Sequence, residues 1–266
     1  MRQQYQCYRY DDLNRLTRAF TDNDPGCATP DTGIGDGGYN HIYRYSAGGN
    51  ITRLGPVTDY TYGTRNDYGT GDAGPHAVTV AGGIDYTYDD AGNLTEAEDG
   101  AVTVAAYSYN HRQQLTAVDL PNTSDDLAMV YDTDGNRVTR TQGSTTVTYI
   151  GDLYEVIDDN GTATYLTHYY FAGDHIAVRT GQGPTSTLTY QFADQLGSVA
   201  TTYQAGTAGG TYRNYHYYHP YGTPRGTTTP YPSDHTYTGQ INDPDDLMYY
   251  QARYYQPALG RFTQPD

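Results

Sequence analysis

Apolar and polar residues alternate in short runs along most of the chain, most clearly in the run that begins at Ile84. Ile84, Tyr86 and Tyr88 are separated by single polar residues, a period of two that predicts a strand with one aromatic face. Residues 89–93 then break the alternation with Asp, Gly and Asn, which favour tight turns. Leu94 begins the next apolar run. Each such unit is therefore predicted to be a β-hairpin of two short strands.

The hairpin pattern recurs at a fixed interval. The pairs Gly49-Asn50, Gly92-Asn93 and Gly135-Asn136 lie 43 residues apart, and a degenerate copy at residues 107–116 lies midway between the last two. The repeat is therefore 21 to 22 residues long, and another copy begins at Tyr8. A unit of this size cannot bury its apolar face alone, so the repeats are expected to pack side by side in one array.

Helical signals are nearly absent, since no apolar run follows a period of 3.6. One short helix is expected near residues 243–250. The sequence therefore predicts an all-β protein, an array of antiparallel β-hairpins with little or no helix.

Tyrosine dominates the aromatic residues, with 32 Tyr, 4 Phe and no Trp in 266 residues. Because the tyrosines recur in register with the strands, we expect a structural role. Their rings would pair across neighbouring strands, and each hydroxyl would find a partner or water. The alternative, an aromatic platform that binds sugars or peptides, stays open at this stage.

The charge of the chain bears on its partners. The net charge is −16, and all 15 basic residues are Arg. Neither nucleic acid nor an anionic membrane is an expected partner, because both attract cationic surfaces. No apolar run reaches 18 residues, so no membrane insertion is predicted, and the first residues lack the apolar stretch of a signal peptide. A strand pattern begins almost at once, which indicates a fragment of a longer protein.

The two cysteines, Cys7 and Cys27, flank a loop-like stretch. A disulfide and a pair of free thiols are both compatible with this spacing, while two cysteines are too few for a zinc site. Four Asn-x-Ser/Thr sequons are weak signals, and two of them simply follow from the repeat; they begin at Asn50, Asn93, Asn122 and Asn160.

Other residues that could bind a metal ion or take part in catalysis form no recognisable motif. His216 and His219 lie in a strand-and-turn region, where residues at this spacing are not expected to share a face. Two acidic clusters lack the spacing of a calcium loop and are interpreted as turn formers: Asp24, Asp31 and Asp36, and Asp243, Asp245 and Asp246. We therefore predict no catalytic, no cofactor-binding and no metal-binding residues.

Two sets of motifs resemble a known family. The pattern Tyr-x-Tyr-Asp-x-x-Gly-Asn, as in residues 86–93, is the signature of YD repeats, also called RHS repeats. Residues 5 to about 160 resemble this family, although the copy at residues 59–80 is degenerate.

The C-terminal part resembles the RHS repeat-associated core domain through four ordered motifs: Asp194-Gln-Leu-Gly-Ser-Val199, Tyr218-His-Pro-Tyr-Gly222, Tyr237-Thr-Gly-Gln240, and the stretch from Leu247 to Asp266. Three positions depart from the family pattern, since His219-Pro220 and Gln256-Pro257 stand where Asp-Pro is common, and Thr263-Gln264 replaces a frequent Leu/Ile-Ser/Thr pair.

The resemblance implies a curved or spiralling YD-repeat sheet, a partial β-shell. The repeat array would occupy residues 1–189 and the core domain residues 190–266. In the family, such a shell encloses a variable C-terminal effector, and the core domain closes one end. The resemblance therefore implies a structural scaffold rather than an enzyme, placed outside the cell or at its surface, that encloses or displays a toxin or other effector.

Two alternatives remain open. The chain could be an extracellular adhesin or fibre subunit that associates with other copies of itself through its Tyr-rich sheet and contacts carbohydrate or a cell surface. In several family members the core region is an aspartyl autoprotease whose aspartates lie at and beyond the position of Asp266. That activity is expected here only in a chain that extends past Asp266.

Overall fold

The computed structural model describes residues 4–64, 73–121, 126–204, 206, 213–227 and 229–265, and within them the chain is all β. Consecutive strands pair antiparallel, as the hairpin pattern predicted. The N-terminal sheet contains four strands in sequence order: β1 (Tyr5–Tyr10), β2 (Leu16–Asp22), β3 (Asn40–Tyr45) and β4 (Ile51–Leu54).

The central sheet contains fifteen strands, again in sequence order, and does not close into a barrel. Its strands are β5 (Thr61–Tyr62), β6 (Val78–Ala81), β7 (Ile84–Tyr88), β8 (Leu94–Asp99), β9 (Val102–Tyr109), β10 (Leu115–Asp119), β11 (Leu127–Tyr131), β12 (Arg137–Gln142), β13 (Thr145–Ile150), β14 (Tyr154–Asp159), β15 (Thr162–Phe171), β16 (Asp174–Thr180), β17 (Thr187–Ala193), β18 (Val199–Gln204) and β19 (Arg213–Tyr215). Strand β17 runs across residue 190, where the sequence places a domain boundary; that division stays a prediction.

Six short strands follow the central sheet. The first two pair with each other and the last four form a small sheet: β20 (Tyr217–Tyr218), β21 (Pro224–Arg225), β22 (Ile241–Asp243), β23 (Leu247–Tyr250), β24 (Arg253–Gln256) and β25 (Arg261–Phe262). Single 3₁₀ turns occur at Gly183–Thr185, Tyr237–Gly239 and Pro244–Asp246. None of the described residues forms a helix long and apolar enough to cross a membrane.

The helix expected near residues 243–250 is wrong. Its first part is the 3₁₀ turn, and its second part is strand β23. Asp245 and Asp246 have φ angles of 66° and 53°, which lie in the left-handed region and are incompatible with a right-handed α-helix. Tyr249 then pairs with Tyr254 on β24, so tertiary pairing decides the structure of this stretch.

The Gly92-Asn93 turn has a construction that other described turns share. Asp89 N–H donates to Asn93 O at 2.9 Å, Gly92 N–H donates to Asp89 O at 2.9 Å, and the Asp89 carboxylate accepts the Asn93 amide at 2.8 Å. Gly92 has φ +87°, a conformation that favours glycine. The same three bonds recur in residues 132–136 and 194–198. The Asp194-Gln-Leu-Gly-Ser motif is therefore a turn of the repeat type.

Several return strands of the hairpins bury their first and fourth residues. This spacing arises in β4, β6, β8 and β10, where the buried residues are Ile51 and Leu54, Val78 and Ala81, Leu94 and Ala97, and Leu115 and Val118. In β12 the same two positions hold Arg137 and Arg140. The apolar face of the sheet is thus interrupted by two cations at one repeat.

Tyrosine hydroxyls connect neighbouring hairpins. The second Tyr of a repeat donates to the carbonyl of the first residue in the previous return strand, so Tyr88 bonds to Val78 O at 2.8 Å and Tyr131 to Leu115 O at 2.6 Å. Tyr62 bonds to Ile51 O in the same way, at 2.6 Å. The expectation that the hydroxyls find partners is confirmed at these positions.

The core extends through three of the sheets. Tyr43 of the N-terminal sheet, Leu94 and Leu115 of the central sheet, and Tyr254 and Leu259 of the C-terminal part belong to one cluster of buried apolar residues. Burying this shared surface is the main favourable term that holds the sheets together.

The two cysteines are bonded to each other. Cys7 on β1 and Cys27 in the loop after β2 form a disulfide with their Cα atoms 5.7 Å apart. The alternative of free thiols is therefore excluded in this structure.

Candidate functional site

The last part of the chain folds back across the central sheet. Residues 229–265, called the terminal segment below, form backbone hydrogen bonds with strands near both ends of that sheet. The amide of Leu94 on β8 donates to Thr263 O at 2.8 Å, and the amide of Val199 on β18 donates to Thr236 O at 3.0 Å. The terminal segment thus spans the sheet. Its placement across the sheet is the feature of the structure most relevant to function.

A buried ion pair lies at the centre of this contact. Arg137 of β12 donates from Nη1 to the Asp243 carboxylate of β22, and the two side chains are only 1% and 0% exposed. The guanidinium carbon lies 4.2 Å from the ring centroid of Tyr249 and 4.8 Å from that of Tyr149. Burial lowers the pKa of Arg137, but the charge of Asp243 outweighs it and holds the pKa well above its ordinary value.

A second arginine extends the network. Arg140 Nε lies 3.1 Å from Asp243 Oδ1, and its Nη2 lies 3.7 Å from Asp234 Oδ2. The Tyr149 hydroxyl donates to the same Asp234 oxygen at 3.3 Å. Burial, together with the charge of Glu155, raises the pKa of Asp234. The charges of β12 are therefore matched by carboxylates from the terminal segment.

Residues next to the strands of the N-terminal sheet contact β21, which precedes the terminal segment. Arg225 of β21 donates to Gly37 O at 2.7 Å and to the Gln4 side chain at 3.2 Å. The backbones at Gly37 and Gly226 approach each other closely, because a Cβ added to Gly37 would lie 2.5 Å from the backbone nitrogen of Gly226. Only glycine fits at this crossing point.

A group of histidines and one glutamate adjoins the ion network. Glu155 Oε1 on β14 lies 3.1 Å from His168 Nε2 on β15 and 3.8 Å from His235 Nε2 on the terminal segment. His168 Nδ1 lies 3.1 Å from His175 Nε2 on β16. Burial, together with the neighbouring His235 and His168, lowers the pKa of His175 to about 3. The ligand atoms of Glu155, His168 and His235 all lie within 4.8 Å of one another.

The two histidines considered as a candidate metal site in the sequence lie in different surroundings. His216 stacks on Tyr231, with ring centroids 4.1 Å apart, while His219 stacks on His41 at 4.4 Å. These contacts give the two histidines different ring neighbours.

The acidic clusters divide into two kinds. Asp24 and Asp31 accept backbone amides two residues ahead, from Gly26 at 2.7 Å and from Gly33 at 3.0 Å, as turn formers do. Asp36 and Asp243 differ from these, since the Asp36 carboxylate accepts the Thr227 amide at 2.8 Å and Asp243 is the buried partner of Arg137. The interpretation of these two residues as turn formers is wrong, because their carboxylates bond groups far away in the chain.

The sequons differ in exposure. Asn93 is 1% exposed and its side chain donates to Asp89 at 2.8 Å, so this amide is not available for modification in the fold. Asn160 lies exposed in a turn. Asn122 and Asp266 lie outside the described residues.

The ion network was visible in the sequence as a break in the repeat. At the position of Ile51, Leu94 and Leu115, the copy that begins at Val130 has Arg137. A charged residue at a predicted buried position requires a partner of opposite charge. The histidine group gave no comparable signal, because residues 155, 168, 175 and 235 share no motif.

No family model matches the sequence, and no curated protein matches it. Among solved structures, the chain is similar to those named "TcdB2-TccC3-TEV" (TM-score 0.54, 18% identity), "TcdB2-TccC3 without hypervariable C-terminal region" (0.50, 19%) and "TcdB2-TccC3-Cdc42" (0.50, 19%). The matches cover 98 to 99% of this chain but only 16 to 17% of the neighbours. The fold is therefore of the TcdB2-TccC3 kind, and at this identity the likeness shows the fold alone.

Proposed function

We propose that this chain is a structural scaffold, the closing part of a YD-repeat shell that encloses or displays an effector. The observation that carries the proposal is the placement of the terminal segment. It covers the apolar face of the repeats and is fixed there by the buried pair of Arg137 and Asp243. A segment that covers an array in this way acts as a closure.

The core-domain motifs supply the contacts of this closure. Val199, which ends the first motif, donates its amide to Thr236 O at 3.0 Å and accepts the hydroxyl of Tyr218, from the second motif, at 3.1 Å. Thr238 of the third motif bonds to Tyr250 of the fourth at 2.6 Å. The resemblance to the core domain and the packing of its motifs thus both support a closing role.

A variable passenger is consistent with the neighbours. One of them is described as lacking a hypervariable C-terminal region, so that protein has such a region when complete. We propose that the closing segment of this chain likewise lies beside a variable passenger, outside the cell or at its surface, and that the scaffold itself performs no catalysis.

A second candidate function is self-association. Large apolar side chains are exposed on consecutive hairpins of the central sheet from β13 to β18, among them Leu153, Phe171 and Phe192 at 60%, 73% and 59% exposure. Exposed apolar surface of this kind is typical of protein contacts. In this alternative, copies of the chain would join through these hairpins as a fibre or an adhesin does.

The proposal is tested with a protease-sensitive passenger peptide joined to the C-terminal end of the whole chain. We expect a single monomeric particle on sizing, and slow cleavage at sites close to the junction. The Asp243→Asn variant, whose terminal segment is loosened, should be cleaved faster at those sites. Equal cleavage rates would contradict a closing role. Ordered polymers of wild type that disappear in a Phe171→Ser/Phe192→Ser variant would favour self-association instead.

A further inference from the structure

Three side chains from separate parts of the chain direct ligand atoms at one point. Glu155 and His168, each 3% exposed, come from adjacent strands of the central sheet, and His235 comes from the terminal segment. We infer that Glu155, His168 and His235 form a binding site for a divalent transition metal ion, Zn²⁺ in the first instance, which joins the terminal segment to the sheet.

The hydrogen bonds fix the tautomer of His235. Its Nδ1 lies 2.9 Å from the carbonyl oxygen of Gly239. A carbonyl oxygen only accepts, so Nδ1 carries the hydrogen and Nε2 of the neutral ring carries a lone pair. That lone pair faces Glu155, whose Oε1 is 3.8 Å away.

His168 is bonded to a second ring. Its Nδ1 lies 3.1 Å from His175 Nε2, so one of these nitrogens carries the hydrogen that the other accepts, and a metal bound at His168 Nε2 takes the tautomer in which His168 Nδ1 donates. His168 Nε2 then carries a lone pair as well. It lies 3.1 Å from Glu155 Oε1, although the two atoms are not aligned for a hydrogen bond.

In this tautomer, two imidazole lone pairs and a carboxylate converge without a hydrogen between them. This arrangement is repulsive until a cation lies at its centre. The second carboxylate oxygen, Glu155 Oε2, is also buried without a partner, and an unpartnered buried acceptor is costly. A bound cation satisfies all of these atoms at once.

The distances fit zinc. A tetrahedral Zn²⁺ with bonds of about 2.0–2.1 Å places its ligand atoms about 3.4 Å apart. The two separations from Glu155 Oε1, 3.1 Å and 3.8 Å, bracket this value. Ca²⁺ and Mg²⁺ prefer all-oxygen sites, whereas imidazole nitrogens suit first-row transition ions.

The surroundings resemble those of established zinc sites in their hydrogen bonding. His235 donates to a carbonyl and His168 to a second imidazole, and such outer bonds orient ligating histidines. A pocket of about 350 Å³ is lined by His175, His235 and Gln191, whose Oε1 is buried without a partner. The pocket reaches the site at His235.

This site departs from the sequence expectation of no metal ligands, because its three residues share no spacing motif. It also adds a link at the closure. Glu155 and His168 belong to the sheet and His235 to the terminal segment, so a bound ion holds the two together.

The test is calorimetric titration of Zn²⁺ into the whole chain after removal of metal by a chelator. We expect one Zn²⁺ per chain and a rise in the melting temperature. Co²⁺ at the same site should give the visible absorption bands of a tetrahedral complex, and Ca²⁺ should give no response. Glu155→Gln and His235→Gln should each weaken binding at least about 100-fold, and His175→Phe, which leaves the three ligands intact, about 10- to 100-fold.

Two histidine variants serve as controls. His111→Gln is exposed, and His219→Gln is half-buried against another ring, so both should bind Zn²⁺ as wild type does. Near-ultraviolet circular dichroism of the metal-free variants confirms that they are folded. Absence of stoichiometric binding to wild type would overturn the inference. So would binding that the Glu155→Gln and His235→Gln variants retain in folded form, or that a control variant loses.

Discussion

Arg137 of β12 and Asp243 of β22 form an ion pair that is almost completely removed from water, and it joins a repeat of the central sheet to the terminal segment. Breaking a buried pair by removing one charge leaves the other unpaired, which costs about 3–5 kcal/mol. Asp243→Asn should therefore lower the free energy of unfolding by about that amount in urea titrations. Asp85→Asn, an exposed change on β7, is the matched control and should have little effect.

The same pair gives a double-mutant test. Arg137→Leu places the apolar residue of the other repeats at this position, so the double variant Arg137→Leu/Asp243→Asn should lose less stability than the two single changes added together. Strict additivity of the two changes would show that the residues do not interact.

Tyrosine hydroxyls are predicted to hold successive hairpins together. Tyr88→Phe removes the bond to Val78 O and leaves a carbonyl without its donor, so it should cost about 1 kcal/mol of stability. Tyr10→Phe, at a ring that is 59% exposed, should cost nothing measurable. Equal effects of the two substitutions on the urea midpoint would show that the hydroxyl contact is unimportant.

His216 should make stability depend on pH. Burial beside Tyr231 and Thr202 lowers its pKa to about 4, against an ordinary value of 6.5. Between these values the unfolded chain binds a proton that the folded chain does not, so stability contributed above pH 6.5 is lost as the pH falls toward 4. His216→Gln should reduce the slope of that part of the stability profile, measured by urea unfolding at each pH, while His219, whose pKa burial also lowers to about 4, accounts for part of the remaining slope. His111→Gln should leave the profile unchanged.

The Asp132 carboxylate acts in a lower pH window. Hydrogen bonds from the Asn136 side chain and backbone lower the pKa of Asp132 below its ordinary value of 3.8. Its contribution is therefore present above that value and is lost below it. The stability lost through protonation of the Asp132 turn is therefore expected at a lower pH than the stability lost through protonation of His216.

The disulfide should stabilise the N-terminal sheet. Closing a loop of about 20 residues removes chain entropy worth about 3 kcal/mol from the unfolded state. Reduction, or the variant Cys7→Ala/Cys27→Ala, should lower the free energy of unfolding by about this amount. An unchanged urea midpoint under reducing conditions would contradict the estimate.

Short-range patterns in the sequence predicted the hairpins. The alternation around Tyr86 and the glycine at Gly92 encode strand and turn within a few residues, and the structure follows them. The helix expected near residues 243–250 failed because Asp245 and Asp246 take left-handed conformations and Tyr249 pairs with another strand. Here long-range packing outweighs local preference.

The contacts of the terminal segment could not be predicted in the same way. Arg137 was recognisable as a charge at a buried position, but nothing in the sequence identified Asp243 as its partner, 106 residues away. Glu155, His168 and His235 meet only because the terminal segment returns to the sheet. Such groupings depend on topology and not on spacing along the chain.

Hydrogen exchange under native conditions tests the central claim most directly, since it reports how readily the terminal segment separates from the sheet. The account predicts that the amides of Leu94 and Val199, which donate to carbonyls of the terminal segment, exchange as slowly as the amides of the central strands do, and exchange faster in Asp243→Asn. Rapid exchange of these amides in wild type, while the central strands stay protected, would show that the segment is not a closure and would contradict the account.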